Sequence, residues 1–185
     1  RVGRARARLN RGNRAGAAED AAAVPATFVF LTSTLDAGVP RRNNRVFQQN
    51  NGALAVSVAP AYRALTVAGA PDPRVRVTDL NRIAGDQVTR LWTQQKYASA
   101  GAAIPIASGA EAQLILAEAR GGAEGVTILN QLRARSGLPA LTASEAASFQ
   151  ATVFEERRRE LFLQGARWYD QRRGALPLDP APGSA

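Results

Sequence analysis

The chain has no histidine and no cysteine among its 185 residues. Without histidine, catalysis by Ser-His-Asp or Cys-His groups and metal ligation by imidazole are excluded. Without cysteine, disulfides, zinc knuckles and thiol nucleophiles are excluded as well. A metal could be held only by carboxylates, and we expect neither a metal nor a cofactor. The chain also lacks an apolar run of the ~18 to 20 residues that a transmembrane helix needs.

Lysine is nearly absent too, because all but one of the 24 basic residues are arginine. The formal net charge of +9 would ordinarily suggest nucleic acid or an anionic membrane surface as a partner. A strong preference for arginine, with many Ala, Gly and Pro residues, is also typical of GC-rich coding sequences. The charge is therefore discounted, and no nucleic-acid partner is expected.

Composition and residue pattern divide the chain into four segments. Residues 1–24 predict a pair of short helices joined by a turn at Gly12-Asn13 and ended by Pro25. Residues 25–108 predict a loop-rich excursion with short strands at TFVFLT and ALAVSVA. Residues 109–174 predict further helices, and residues 175–185 a flexible tail rich in proline and small residues. We expect one domain of the mainly α class, a tetratricopeptide-like helical scaffold interrupted by the excursion.

Capping signals define the helices of the third segment. The pair Ser108 and Glu111 predicts a capping box for a helix that ends at Gly121-Gly122. The next helix is predicted from about Ala123, with an apolar side and a C-terminal cap. The residues of that apolar side and cap are Val126, Leu129, Leu132, Ser136, Gly137 and Leu138. A second box, Thr142 and Glu145, predicts one helix as far as about Gln164 and a last stretch before Gly174.

A run of six charged residues, EERRRE from Glu155 to Glu160, lies inside the long predicted helix. Helical periodicity places Arg157 and Glu160 on the apolar face and Glu156 at its margin. Arg158 and Arg159 are predicted to be solvated. Because unpaired charges on a buried face are costly, we predict a structural ion network. Its predicted members are Glu156, Arg157, Glu160, Arg167, Asp170 and Arg173, with Arg133 and Arg135 as further candidates.

A catalytic interpretation of the same carboxylates is weaker. Glu156 and Glu160 lie one turn apart, close to the ~5 to 9.5 Å separation that glycosidases use. A general acid needs a raised pKa, however, and the arginines between these residues favour ionised carboxylates. No other nucleophile and base pair is visible, so we expect no catalytic residues and no enzymatic activity.

Three segments resemble a known family. IPIASGAEAQLILAEARGG, ILNQLRARSGLPAL and FEERRRELFLQGARWYDQRRG are similar, in this order, to the C-terminal half of the SusD/RagB family of outer-membrane nutrient-binding lipoproteins. The N-terminal helices and the RRNNRVFQQNN stretch are similar to that family more loosely. Family members are considerably longer and begin with a lipidated cysteine. The chain is therefore expected to be a fragment without the earlier helices and without the lipid anchor.

The resemblance implies a non-enzymatic role at the external face of the outer membrane. Such proteins bind a nutrient, most often an oligosaccharide, and deliver it to a partner SusC-like TonB-dependent transporter. Attachment to the membrane is expected only through the lipid anchor that this chain lacks. The helices are expected to face the transporter and the loops to hold the ligand.

Sugar binding needs flat aromatic faces and planar polar groups. The loop-rich segment offers Tyr62, Trp92 and Tyr97 as aromatic candidates, with Asn50 and Asn51 as polar ones. Each has an alternative, since an isolated aromatic residue often fills a core and an Asn/Gln run often forms a solvated turn. Trp168 and Tyr169 are expected to be core residues.

Two other functions remain open at the level of sequence. The helix pairs alone would suit a tetratricopeptide-like protein-interaction module with a concave groove. The basic stretch RVGRARARLNR would suit a nucleic-acid-binding protein, whose binding should weaken steeply with salt.

Overall fold

A computed structural model of the chain describes residues 1–36, 38 and 40–178. Most of the predicted tail, residues 179–185, lies outside the described residues. The chain is 47% helical, so the prediction of a mainly α class is confirmed. In chain order the elements are α1 (Val2–Asn10), α2 (Arg14–Ala22), β1 (Val29–Leu31), α3 (Arg45–Phe47), β2 (Thr66–Val67), β3 (Ala70–Pro71), β4 (Val77–Ile83), β5 (Arg90–Gln94), β6 (Pro105–Ser108), α4 (Gly109–Arg120), α5 (Gly122–Arg135), α6 (Ala143–Ala147), α7 (Phe149–Glu160) and α8 (Arg167–Gly174).

The chain forms two compact units. The first comprises Arg1–Phe30 and Ile106–Ala185 and contains seven of these helices; the second is Leu31–Pro105. The helix pair and the C-terminal helices of the sequence prediction thus fold into one unit, while most of the predicted excursion forms the other. That the whole chain is one domain stays a prediction.

Helices α1 and α2 form a tight hairpin. Gly12, at φ 79°, makes the turn, and the Asn13 side chain caps α2 by accepting from the Gly16 N–H at 2.9 Å. Ala17 and Ala21 are fully buried, so the small side chains let the helices approach closely. The turn predicted at Gly12-Asn13 is confirmed.

Helix α4 is the centre of the first unit, with Leu114, Ile115 and Ala117 fully buried. The Ser108 hydroxyl accepts from the Glu111 N–H at 3.1 Å and caps the helix as predicted. Half of the predicted capping box is wrong, because the Glu111 carboxylate binds Arg6 of α1 instead. Gly109 is required by close packing, since a Cβ there would lie 2.5 Å from the Pro25 carbonyl oxygen.

Helix α5 ends as the sequence predicts. Gly137 adopts φ 68°, and the Leu138 N–H donates to the Arg133 carbonyl oxygen at 3.0 Å. On its apolar side Leu129 and Leu132 are buried, but Val126 is only half-buried and Ile128 is buried with them. The side facing the core is therefore rotated slightly from the predicted one.

The single helix predicted from Thr142 to Gln164 is wrong, because the structure divides it into α6 and α7. The Thr142/Glu145 capping box forms fully at the start of α6. Ser148, with ψ 38°, interrupts the helical backbone, and the Thr152 hydroxyl donates to the Glu145 carbonyl oxygen across the break. After α7 the chain turns through Leu163, at φ 58°, and Gly165, at φ 75°, before α8.

The second unit consists of loops, a short helix and two hairpins. Helix α3 continues into a π-helical turn, Gln48–Gly52. The predicted strand at ALAVSVA is wrong, since Ala53 to Ala59 form no regular strand. The principal hairpin is instead β4 with β5, antiparallel with Val77 opposite Gln94 and Asp79 opposite Trp92. The predicted strand in TFVFLT is present as β1, which pairs with β6.

Candidate functional site

One residue of the charged run, Arg157, lies in a cluster of two arginines and two carboxylates. We call it the Arg157 cluster: Glu118, Arg157, Asp170 and Arg173. The Arg157 Nε donates to both Asp170 oxygens at 3.0 Å and lies 3.5 Å from Glu118 Oε2. Arg173 donates from Nε to Glu118 at 2.7 Å and from Nη2 to Asp170 at 2.8 Å. Formal charges balance, as a buried ion cluster requires. The cluster joins α4, α7 and α8.

A second group, the Arg133 cluster, consists of the buried Arg133 and Glu156 with the partly exposed Glu145, and it joins α5, α6 and α7. Arg133 donates to Glu156 at 2.8 Å and to Glu145 at 2.7 Å. The hydrogen bond from Arg133 lowers the pKa of Glu145 to about 2, opposed by burial and assisted by donors on Thr142. Glu156 is 2% exposed and fully engaged with the protein. An ionised Glu145 and an enclosed Glu156 suit a structural role rather than general acid catalysis.

The predicted ion network can now be compared with the structure. Glu156, Arg157, Asp170 and Arg173 lie in the two clusters. Glu160 and Arg167 are half-buried, and Arg167 makes no ion pair with any residue that the structure describes. The marginal position predicted for Glu156 is wrong, because Arg133 of the neighbouring helix draws that carboxylate inside.

The predicted solvation of Arg158 and Arg159 is also wrong. Their side chains are only 12% and 13% exposed, and both bind Glu155 at 2.6 Å within the same helix. Their long aliphatic stems lie along the protein while the guanidinium groups meet that carboxylate. The position of Glu155, three and four residues earlier, explains this arrangement.

Sequence reasoning missed the carboxylates of α4. Glu111 receives two hydrogen bonds from Arg6, at 2.6 and 2.7 Å, and Glu118 lies in the Arg157 cluster. They are seven residues apart, which puts both on one face of a largely apolar helix. Buried-face carboxylates at this spacing could have been recognised as ion-pair positions, although their partners could not.

In the second unit, Asn50, Asn51 and Tyr97 belong to the internal framework. The Asn50 amide donates to the Val56 and Trp92 carbonyl oxygens at 2.8 and 3.0 Å and accepts from the Gln94 N–H at 2.7 Å. Asn51 exchanges two hydrogen bonds with Gln94. Tyr97 is 4% exposed, and burial raises its pKa to about 12. A ligand would have to displace these contacts to reach the three residues.

Tyr62 and Trp92 are half-buried and retain accessible surface. Trp92 lies on β5, and the Arg63 guanidinium stacks over its ring at 5.6 Å. Cross-strand pairing puts Asp79 on the same face of the hairpin as Trp92, and Asp79 binds Arg90 at 2.6 Å. We call Arg63, Asp79, Arg90 and Trp92 the Trp92 surface. The hydrogen-bonded Arg90 lowers the pKa of Asp79, and the charge of Arg63 acts in the same direction.

Trp168 and Tyr169 were expected in the core, and this is wrong. Each is 53% exposed on α8. The α8 residues that enter the interior are Asp170 and Gln171, because the Arg157 cluster draws the Asp170 side of the helix inward. The aromatic pair therefore lies on the opposite, solvent-facing side.

Two further observations concern metals and membranes. Within the described ranges, acidic side chains nowhere gather in the groups of three or more that could hold a metal ion. None of the helices in that part of the chain is both long and apolar enough to cross a bilayer.

Comparison with known proteins identifies the fold of the chain. No curated protein matches the chain. The fold matches the crystal structure of a SusD superfamily protein from Parabacteroides distasonis with a TM-score of 0.56 and 15% identity. The match covers 86% of this chain and 46% of that one, so the chain spans about half the length of this solved structure. The architecture is thus a SusD-like helical fold.

A sequence match points to the same family. Residues 88–177 match the family model of the SusD family, a range that contains β5, the predicted motifs and both ion clusters. The matched segment and the fold both support the SusD/RagB family, and the resemblance predicted from the motifs is confirmed.

Proposed function

We propose that this chain is part of a surface protein that binds an oligosaccharide and delivers it to a SusC-like TonB-dependent transporter. The match to the SusD family supports a nutrient-binding role, and it is the observation that carries the proposal. SusD-family proteins are binding proteins rather than enzymes. The enclosed, ion-paired state of Glu156 agrees with binding rather than hydrolysis.

The two units contain different kinds of side-chain arrangement, and this difference supports the same proposal. In the first unit the ion clusters fix α4, α5, α7 and α8 to one another, as a scaffold requires. In the second unit Trp92 presents part of an indole ring on a hairpin, and Tyr62 ends a neighbouring turn, Pro60–Tyr62. Indole and phenol rings are the groups on which the C–H faces of sugars pack. We assign ligand contact first to Tyr62 and Trp92; contact with Asn50, Asn51 and Tyr97 stays a prediction.

The proposed location is the external face of the outer membrane, with attachment through a lipid anchor of the complete protein. Family membership supports this location. Protease accessibility on intact cells tests it: surface-exposed protein should be degraded while a periplasmic marker survives. Protection of both would contradict it.

A glycan array tests ligand binding. The folded protein should retain saccharides on the array, and the Trp92→Ala variant should retain less. Absence of any saccharide binding by the folded natural protein would remove the oligosaccharide part of the proposal.

A pull-down from outer-membrane extract tests the transporter. The natural protein should recover a TonB-dependent transporter, identified by mass spectrometry. Recovery of other proteins only, with no saccharide bound, would favour the alternative of a protein-interaction module. The exposed pair Trp168 and Tyr169 is the observation that favours this second candidate, because exposed aromatic residues are enriched at protein interfaces.

A further inference from the structure

Basic side chains outnumber acidic side chains in the second unit. Residues 31–105 contain nine basic side chains and four aspartates, with no glutamate. Asp72 is buried against Arg74 at 2.9 Å, and Asp79 binds Arg90. Asp86 is used by its own turn, where it accepts from the Thr89 hydroxyl and from backbone N–H groups. Three of the four carboxylates are therefore already engaged within the unit.

Arg63 is fixed in place by hydrogen bonds to neutral groups of its own segment. Its Nε donates to the Val58 carbonyl oxygen at 2.8 Å, and its Nη2 donates to the Ser57 hydroxyl at 3.3 Å. The Trp92 ring supports the guanidinium from one side. Among the residues that the structure describes, no carboxylate lies within ion-pair distance of Arg63. Its Nη1 group keeps two N–H donors that no described residue engages.

The segment that holds Arg63 is itself tied to β5. The Val58 N–H donates to the Trp92 carbonyl oxygen at 3.0 Å, and the Trp92 N–H donates to the Ser57 hydroxyl at 2.9 Å. Ser57 also donates to the Arg90 carbonyl oxygen at 2.8 Å. The guanidinium is thus held before any ligand arrives, which lowers the entropic cost of binding.

Arg90 adds a second cation to the same surface. Its Nε and Nη2 donate to Asp79, and Nη2 also donates to Asn81. Two guanidinium groups and one carboxylate leave the Trp92 surface with one excess positive charge beside an aromatic ring. The indole Nε1 is buried, so the ring rather than its N–H is the accessible part of Trp92.

We propose that the Trp92 surface binds an acidic saccharide residue, whose carboxylate or sulfate group pairs with Arg63 while its sugar ring packs at Trp92. A fixed, planar guanidinium with free N–H donors suits charge-assisted hydrogen bonds to a carboxylate or sulfate oxygen. This inference rests on the proposed function and specifies the ligand class of the same protein. A neutral sugar would leave the charge of Arg63 without a counterion.

Isothermal titration with paired ligands tests the inference. The uronate probe is trigalacturonate and its control is the trigalacturonate methyl ester, which has the same skeleton without the charges. The sulfate probe is a sulfated galactan oligosaccharide and its control is the desulfated form. At 150 mM salt, at least one charged probe should bind about tenfold or more tightly than its neutral control, and the arm that does so distinguishes uronate from sulfate.

Matched variants locate the contact. Arg63→Gln should weaken binding of the charged probe by about tenfold or more, because it removes a charge-assisted contact. Arg63→Lys should weaken it less, since the charge remains but the planar pair of donors is lost. Arg82→Gln, an exposed arginine on β4, should change binding by less than about twofold. Circular dichroism of each variant checks that it is folded.

The possible results separate the two proposals. Equal binding of charged and neutral probes, unaffected by Arg63→Gln, overturns the acidic-ligand inference while the proposed function stands. Equal weakening by Arg63→Gln and Arg82→Gln shows diffuse charge attraction and also overturns it. Displacement of the saccharide by an oligonucleotide at 150 mM salt overturns it in favour of nucleic acid. Failure of every saccharide, charged or neutral, overturns the proposed function itself.

Discussion

Arg157, 3% exposed, has two carboxylates within ion-pair distance, Asp170 and Glu118. Its position in the middle of a charged run says little about this environment. Arg159, two residues later, pairs with Glu155 of its own helix. The same residue type therefore joins three helices at one position and supports one helix at the other.

This difference predicts unequal costs of truncation. Arg157→Ala should lower the free energy of unfolding by about 3 to 5 kcal/mol, because Asp170 and Glu118 would keep buried charge with one partner fewer. Arg159→Ala should cost less, because its Glu155 partner lies on the same helix and is partly exposed to solvent. Urea denaturation of the two variants measures both values. Equal and small losses would show that the Arg157 cluster contributes little to stability.

Glu145 predicts a pH dependence. Its pKa falls from 4.5 to about 2 on folding, so it is ionised in both states above about pH 5 and its ion pair then contributes fully. As the pH falls from about 4.5 to 2, the unfolded chain takes up the proton first and this contribution is lost. Melting temperatures at pH 7, 4 and 2.5 should fall, and those of Glu145→Gln should fall less steeply. Parallel curves would contradict the assignment.

At the scale of elements, the helix ends marked by caps were predictable and the partners of the helices were not. The caps at Ser108 and Thr142 and the turn at Gly137 depend on residues within a few positions, which one sequence displays. The Arg6–Glu111 contact joins residues 105 positions apart, and the Arg173–Glu118 contact joins residues 55 positions apart. A helical wheel marks which face is buried but carries no information about the charge that meets it.

The irregular elements, too, could not be predicted from the local sequence. The break at Ser148 leaves no glycine or proline signal, and it is accompanied by a side-chain bond from Thr152 back to Glu145. The β4–β5 hairpin was missed because Asp79, Asn81 and Arg82 interrupt the apolar alternation that indicates a strand. The pairing is irregular between Asp79 and Ile83, and Asn81 has φ 51°.

Two glycines offer a matched test of packing at helix α4. Gly109→Ala should destabilise the protein by about 1 to 3 kcal/mol, because the new methyl group would meet backbone carbonyl oxygens that cannot turn away. Gly3→Ala, in α1, meets no atom within 4 Å and should stabilise by about 0.5 to 1 kcal/mol. Thermal denaturation compares the variants. A neutral Gly109→Ala would show that α4 can shift away from the preceding segment.

At the scale of the whole molecule, the segment that matches the SusD family spans residues 88–177 and extends from β5 through α8. The motifs that identified the family from sequence mainly specify packing: Glu118, Arg133, Arg157 and Asp170 are all buried ion-pair residues. The proposed ligand contacts lie elsewhere, on the hairpin and turn of the second unit. Family could therefore be recognised from sequence while the ligand surface needed the structure.

The chain provides its own probe of the central claim, because Trp92 and Trp168 are its two tryptophans. In Trp168→Phe the indole fluorescence reports Trp92 alone, and in Trp92→Phe it reports Trp168 alone. Titration with the saccharide selected by the glycan array should shift and saturate the emission of Trp168→Phe, while that of Trp92→Phe stays constant. A saturable change confined to Trp92→Phe, with none in Trp168→Phe, would contradict ligand capture at the Trp92 surface.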